Sequence, residues 1–479
     1  MFFRPSLLAL AAAALLSACA AGPDYVRPAL AVPDAYKEAG DWKPADPRPA
    51  ASGQAWWQAW GDPVLDGLEA DAGQANQSLR QAEAAYRQAR ALVDVDRAGL
   101  FPSVGLNAGA QRARTNTNGV KIGDGYTLGL AASWEPDLWG SVRRTIEAGS
   151  ASAQASADDL AAARLSLQTT LAQDYLQLRI ADQQRDLYAA TIEAYTKAAQ
   201  LTRAQHDAGV ALQSDVALAQ AQLAQAQAAA IDLAATRAQL EHAIAVLTGR
   251  PPAQFTLAAA PANQPLALKM PATPAGLPSA LLEHRPDIAA AERRAAAANA
   301  NIGVAKAAWF PQLTLGASGG FSAAALGSLF DTPSRVWSLG AALAQALFDG
   351  GLRNARTAQA EAAYDGAVAQ YKQTVLEGFQ QVEDQLALLR LLDQETALQD
   401  QAVRSSQQAE QSALAQYRAG TLSYLNVVTA QTLALTSQRS AVQLRGRLVA
   451  ASLSLVAATG GGWSAADSTA VAASAAPAQ

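Results

Sequence analysis

The sequence predicts an α+β membrane protein built from two copies of one half, each with long helices and a pair of strands. Three observations predict it. Of the 479 residues 119 are alanine, and half the chain is hydrophobic while only 6% is aromatic. Alanine is the best helix former, so this is the composition of long, closely packed helices. Blocks of sequence recur in the same order at an offset of about 210 residues, too long a period for a solenoid. Pro is absent from 141–208 and again from 351–419, one such stretch in each copy. The charge balance, 36 Lys+Arg against 41 Asp+Glu with no basic run, argues against a nucleic-acid binder. The shortage of bulky residues predicts a thin core.

Residues 1–18 read as a signal peptide. Arg4 supplies the positive end, and Leu7 to Leu16 is an apolar stretch too short to span a bilayer. It ends in Leu16-Ser17-Ala18-Cys19, which resembles a bacterial lipobox. Cleavage before Cys19, the only Cys in the chain, would leave that thiol to carry lipid: a diacylglycerol thioether, with palmitate on the new amino terminus. Ala20 follows where an Asp resembles an inner-membrane retention signal, so the outer membrane is expected. Residues 19–65 then form a lipidated, Pro-rich extended segment in which Trp56, Trp57 and Trp60 are expected to pack. No later apolar run looks long enough for a spanning helix, so any spanning element must be β.

The first repeat is expected over 66–250. A helix over about 66–98 closes at Phe101-Pro102, since Pro cannot continue a helix. Residues 103–135 read as a hairpin, with Val104, Leu106 and Ala108 alternating against Gly and Asn. A helix over 141–208 follows, about 100 Å long at 1.5 Å per residue. Leu160, Leu167, Leu171 and Leu178 fall on one of its faces. Gly209 sits where it should stop, and a return helix occupies 213–247, with Ser214 or Asp215 available to cap it. The Pro-rich residues 251–283 read as a linker.

The second repeat, 284–459, has the same order. Arg285-Pro286-Asp287 reads as a helix start, with Pro at the first position and an acid in the first turn. Strands are expected within 312–348, a long helix over 351–419 ending at Gly420, and a return helix over 424–459. The tail, 460–479, is Ala/Ser-rich and reads as disordered.

Four strands are too few to close a transmembrane barrel, which begins near eight. Either they form soluble hairpins on the helices, or several copies share one barrel. Their length of about ten residues suits a tilted barrel strand, and Asn107, Gln111, Thr127 and Ser133 would face a watery lumen. His206, His242 and His284 are scattered, no catalytic or phosphate-binding motif occurs, and neither a metal, a cofactor nor an enzyme is expected.

Four blocks in one order carry a resemblance. They are Cys19-Ala20-Ala21-Gly22-Pro23-Asp24-Tyr25, then Trp56-Trp57 with Gly61-Asp62-Pro63, then Arg285-Pro286-Asp287 with Phe310-Pro311, then Tyr417-Arg418-Ala419-Gly420 with the segment to Gln431. With them the chain resembles the outer-membrane factor family of TolC-like channels, and within it the lipoprotein branch of tripartite, RND-type multidrug efflux systems.

The resemblance implies a homotrimer whose shared barrel of about 12 strands continues into a periplasmic α-helical barrel. It implies a passive exit duct for small molecules, working with a periplasmic adaptor and an inner-membrane pump. By that resemblance Gly209, Tyr417, Arg418 and Gly420 are expected at an adaptor-contact tip. Leu425 and Thr429 are expected at the periplasmic gate. Related channels often carry an acid at the position of Thr429, so Asp215 is the substitute acid here. A protein-secretion exit channel and a non-conducting envelope scaffold are the alternatives; the lipobox favours small-molecule export, and a scaffold has no need of the strands.

Overall fold

The computed structural model describes residues 21–39, 55–116, 121–260 and 284–464. The signal peptide, Cys19, most of the 251–283 linker and residues 465–479 lie outside the described residues. Eleven principal elements follow one another: α1 (Pro63–Ala75), α2 (Gln77–Ala98), β1 (Ser103–Thr115), β2 (Lys121–Trp134), α3 (Ser141–Asp207), α4 (Gln213–Leu247), α5 (Pro286–Ala307), β3 (Gln312–Ala323), β4 (Arg335–Ala344), α6 (Leu352–Arg418) and α7 (Tyr424–Ala458). The halves match in length. α2 and α5 have 22 residues each, α3 and α6 67 each, and α4 and α7 35 each.

The helix expected over 66–98 is two helices. Asn76 has an extended backbone and ends α1. Its side-chain oxygen then accepts from the Leu79 N–H at 2.9 Å and so opens α2, while its Nδ2 donates to the Leu247 carbonyl. The second-half strand expected to reach 348 ends at Ala344. Past it, Asp349 accepts from the N–H groups of Gly351 and Arg353 and pairs with Arg353 Nε, which starts α6. Asp137 does the same for α3, accepting from the N–H groups of Val142 and Arg143. The second strand of each hairpin, β2 and β4, thus hands over to its long helix through a carboxylate at the helix's positive end. One expectation about membrane helices is corrected. α7 is long and apolar enough to cross a bilayer by composition, although 44% of its most apolar window is buried in the protein. Its apolarity is that of a packed helix, with Leu453 and Leu455 fully buried.

The chain divides into two compact units. The first holds residues up to Leu30, Ala84–Ala157 and Ala290–Gln373. It contains one antiparallel sheet in the order β1-β2-β3-β4, so the β2–β3 ladder joins the two halves. An N-terminal strap is tied to its helices. Buried Arg144 donates to Ala21 O and pairs with Asp24 and Glu147, and Tyr25 donates to Glu292 Oε1 at 2.6 Å.

The second unit, Ala31–Glu83, Asp158–Ala289 and Thr374–Gln479, is helical, and its core is thin and divided. One cluster packs Trp60, Leu65 and Leu68 against Leu171, Leu178, Ile244 and Leu453, with Trp56 and Trp57 at its margin. Another packs Tyr36 on Val382, Leu386 and Leu455. Charged side chains hold extended chain against the helices. Lys37 and Glu38 N–H both donate to Glu383, while Arg179, Asp182, Arg237 and Glu241 take up backbone groups of Leu257, Ala258 and Ala260. Arg285 forks onto Asp287 and reaches Gln381 and the Ala458 carbonyl, fixing the start of α5.

Candidate functional site

In the helical unit, two turns end the long helices in the same way. Gly209 has φ +76° and Gly420 φ +73°. The next residue closes a bond five residues back in each, Val210 N–H to Gln205 O and Thr421 N–H to Gln416 O. This is the Schellman stop, and the left-handed glycine makes it possible. A Cβ at either glycine would meet nothing within 4 Å, so backbone conformation alone selects glycine there.

The residues expected at the tip divide into exposed and buried. Arg418, Gly209 and Gly420 are exposed. Tyr417 is buried. Its hydroxyl donates to Gln205 Oε1 at 2.5 Å, and its ring lies 5.2 Å from that of Tyr424. Burial, with Tyr417 beside it, pushes the Tyr424 phenol up to about 12. Asp215 accepts from the Leu212 N–H at 3.3 Å and so closes the start of α4; Ser214 makes no cap. Leu425 is 57% exposed, and the Thr429 hydroxyl donates back to the Leu425 carbonyl. These two stand one helical turn apart in 421–438, which holds no charged residue. Sequence reasoning passed over Val210 and Leu212, 77% and 70% exposed in the first turn. Two apolar residues directly after a glycine stop were the signal for them.

In the sheet-bearing unit, the register fixes which side chains share a face, because side chains alternate along a strand. Asn107 stands opposite Gly129, Gln111 opposite Gly125, and Thr127 and Ser133 are in step with them. Thr314, Ser318 and Ser338 continue that face across β3 and β4. The other face carries Leu106, Leu130, Leu315 and Leu339 in neighbouring strands. Leu106 is 69% exposed, Leu339 78% and Trp337 82%. The four strands therefore form a sheet with one apolar face, one small and polar face, and two unpaired edges, β1 and β4. On the polar face the close approach is local to the β2–β3 ladder. A Cβ at Gly320 would come 2.3 Å from the Leu128 carbonyl oxygen, so β2 and β3 approach each other through glycine.

The strap begins at the foot of this sheet. Ala21 N–H donates to the Trp139 carbonyl, and Trp139 stacks on Phe310 and donates to the Pro311 carbonyl just before β3. Among the described residues no group of His, Cys, Asp and Glu could hold a metal ion.

Comparison with known proteins agrees with this geometry. A family model described as outer membrane efflux protein matches residues 69–250 and 277–461. The pyoverdine export outer membrane protein OpmQ of Pseudomonas aeruginosa is 32% identical over 469 residues, covering 96% of this chain and 97% of its own. The outer membrane protein OprJ of the same organism is 33% identical and covers 95% of each. The solved outer-membrane channel OprN superposes with a TM-score of 0.86 at 33% identity, over 93% of this chain and 100% of that one. The chain belongs to the outer membrane efflux protein family, a family of channels, and is an outer-membrane exit duct.

Proposed function

We propose that three copies of the chain close one 12-stranded barrel, four strands from each, and that their helices continue it into the periplasm as an α-helical barrel. The observation that carries this is the two-faced sheet with unpaired edges. Open sheet edges and exposed irregular backbone are not tolerated in lipid, and closure through neighbouring copies removes them. The apolar face then meets lipid and the Asn107, Thr127 and Ser318 face lines the lumen. The equal lengths of paired helices favour two duplicated halves, each supplying one hairpin and one helix pair.

The duct works passively within a tripartite system, receiving small molecules from a periplasmic adaptor and an RND-type inner-membrane pump. The exposed turns at Gly209, Arg418 and Gly420 are the adaptor-contact tip, with Tyr417 supporting them from inside. Leu425 and Thr429 form the gate. No charged residue lies in 421–438, so these two close by contact of neutral side chains, and Asp215, which caps α4, is the acid beside them. Cys19 carries the lipid. One residue, Ala20, separates it from Ala21, a reach of at most about 7 Å, which keeps the acyl chains at the foot of the sheet.

Single-channel recording from purified protein in planar bilayers tests the proposal. Small, infrequent openings that increase in Leu425→Gly are expected; a chain that never conducts in any variant overturns it.

A further inference from the structure

The apolar face of the sheet changes character toward its loops. From the helix end of β1 that face reads Val104, Leu106, Ala108, Ala110, Arg112, Arg114. On β4 it ends in Trp337 and then Arg335, which stands opposite Phe321. On β2 it passes through Tyr126, opposite Ala110, to Asp124, opposite Arg112. The same surface is therefore leucine in the middle, aromatic above it, and arginine at the loop end. Arg112 is exposed, and its nearest carboxylate, Asp124, lies 3.7 Å away and is itself partly open. Arg114 and Arg335 are exposed and have no carboxylate partner among the described residues.

An apolar band bounded by aromatic side chains is the part of a barrel that meets hydrocarbon. Groups just beyond it sit at head-group depth. The helices leave from the opposite end of every strand, so this end faces away from the periplasm. Three guanidiniums against one carboxylate make that depth cationic, and planar guanidinium forks match phosphate oxygens.

We propose that Arg112, Arg114 and Arg335 form a binding patch for the phosphate groups of an outer-leaflet lipid, its acyl chains lying on the leucine band below. The patch rests on the barrel reading above. β1 and β4 are the sheet's two edges, so closure by three copies brings Arg335 of one chain beside the edge that carries Arg112 and Arg114 of the next. Each of the three junctions then holds one composite site.

Native mass spectrometry of full-length, detergent-purified protein tests this, titrating in bis-phosphorylated lipid A and the same lipid with its phosphates removed. The wild type is expected to bind the phosphorylated lipid at least about tenfold more tightly. The variant R112Q/R114Q/R335Q is expected to lose that preference while keeping the wild-type oligomer and its binding of the dephosphorylated lipid. Equal binding of the two lipids by the wild type, or a preference kept by the triple variant, overturns the patch. Should the triple variant fail to assemble, the phosphate comparison on the wild type and the single variant Arg335→Gln decide. The same spectra report the oligomer, so a failure of the trimer is read separately from a failure of lipid recognition.

Discussion

The Tyr417 hydroxyl donates to Gln205 Oε1 at 2.5 Å and so bolts the last turn of α6 to the last turn of α3. Each partner lies just before a glycine stop, Tyr417 ahead of Gly420 and Gln205 ahead of Gly209. The two turns expected at the periplasmic tip are thus linked by one partly buried hydrogen bond, while Tyr417 packs on Tyr424 across the second turn.

Removing that bond alone loosens the tip. Tyr417→Phe keeps the ring and leaves the Gln205 amide oxygen without its donor, a cost of about 1 kcal/mol. We expect faster amide exchange across 203–212 and 415–424 and a higher open probability in bilayers. Exchange and openings equal to wild type would remove Tyr417 from any part in the gate.

The glycine stops act through backbone conformation. Gly209→Ala and Gly420→Ala each place a Cβ on a left-handed residue and cost about 1 kcal/mol, although space is open around both. Because the cost is local, exchange should rise in the altered turn while the protein's resistance to heating changes little. Crosslinking to the adaptor should fall in both variants if these turns are the contact.

Glu69 gives the helical unit a pH dependence. Its side chain is buried in α1, and neither carboxyl oxygen has a hydrogen-bond partner among the described residues. Burial, and then the nearby Asp66, raise it from 4.5 to about 9. The folded carboxyl thus keeps its proton while the unfolded one releases it. Stability is full below about 4.5 and is lost as pH rises toward about 9. Glu69→Gln should flatten the fall of Tm over that window and be the more stable form at pH 8, by at least about 1 kcal/mol. Parallel Tm profiles for the two proteins would show that Glu69 is ionised in the fold.

Lipidation is read on Cys19 alone. Cys19→Ala should abolish incorporation of labelled palmitate and leave the strap bonded at Ala21 and Asp24, so protease resistance around Tyr25 should persist. Label on the variant would place the lipid elsewhere.

Much of the fold was legible because local chemistry set it. Gly209 and Gly420 fixed the ends of helices whose starts the capping acids Asp137 and Asp349 supply, and the expected bounds fall within a residue or two of Ser141–Asp207 and Leu352–Arg418. The break at Asn76 was hidden because its function depends on the Leu247 carbonyl, far along the chain. α7 escaped notice as an apolar helix because alanine and hydroxyl residues dilute its leucines. The tip was legible as a turn but not as a surface. Tyr417 reads as an exposed neighbour of Arg418, and only its pairing with Gln205, 212 residues earlier, buries it. The two faces of the sheet needed the register, since alternation within one strand does not show which residues of the next strand stand beside it.

The proposed duct is closed and trimeric, and the residues that close it, Leu425 and Thr429, are neutral. Single-channel recording of the purified protein, paired with its native mass, is the decisive measurement. A trimer is expected, with rare, small openings that grow in Leu425→Gly and Thr429→Gly and stay unchanged between pH 5 and 8. A monomer that conducts in no variant would contradict the barrel. Openings in the wild type that depend steeply on pH over that range would contradict the neutral gate.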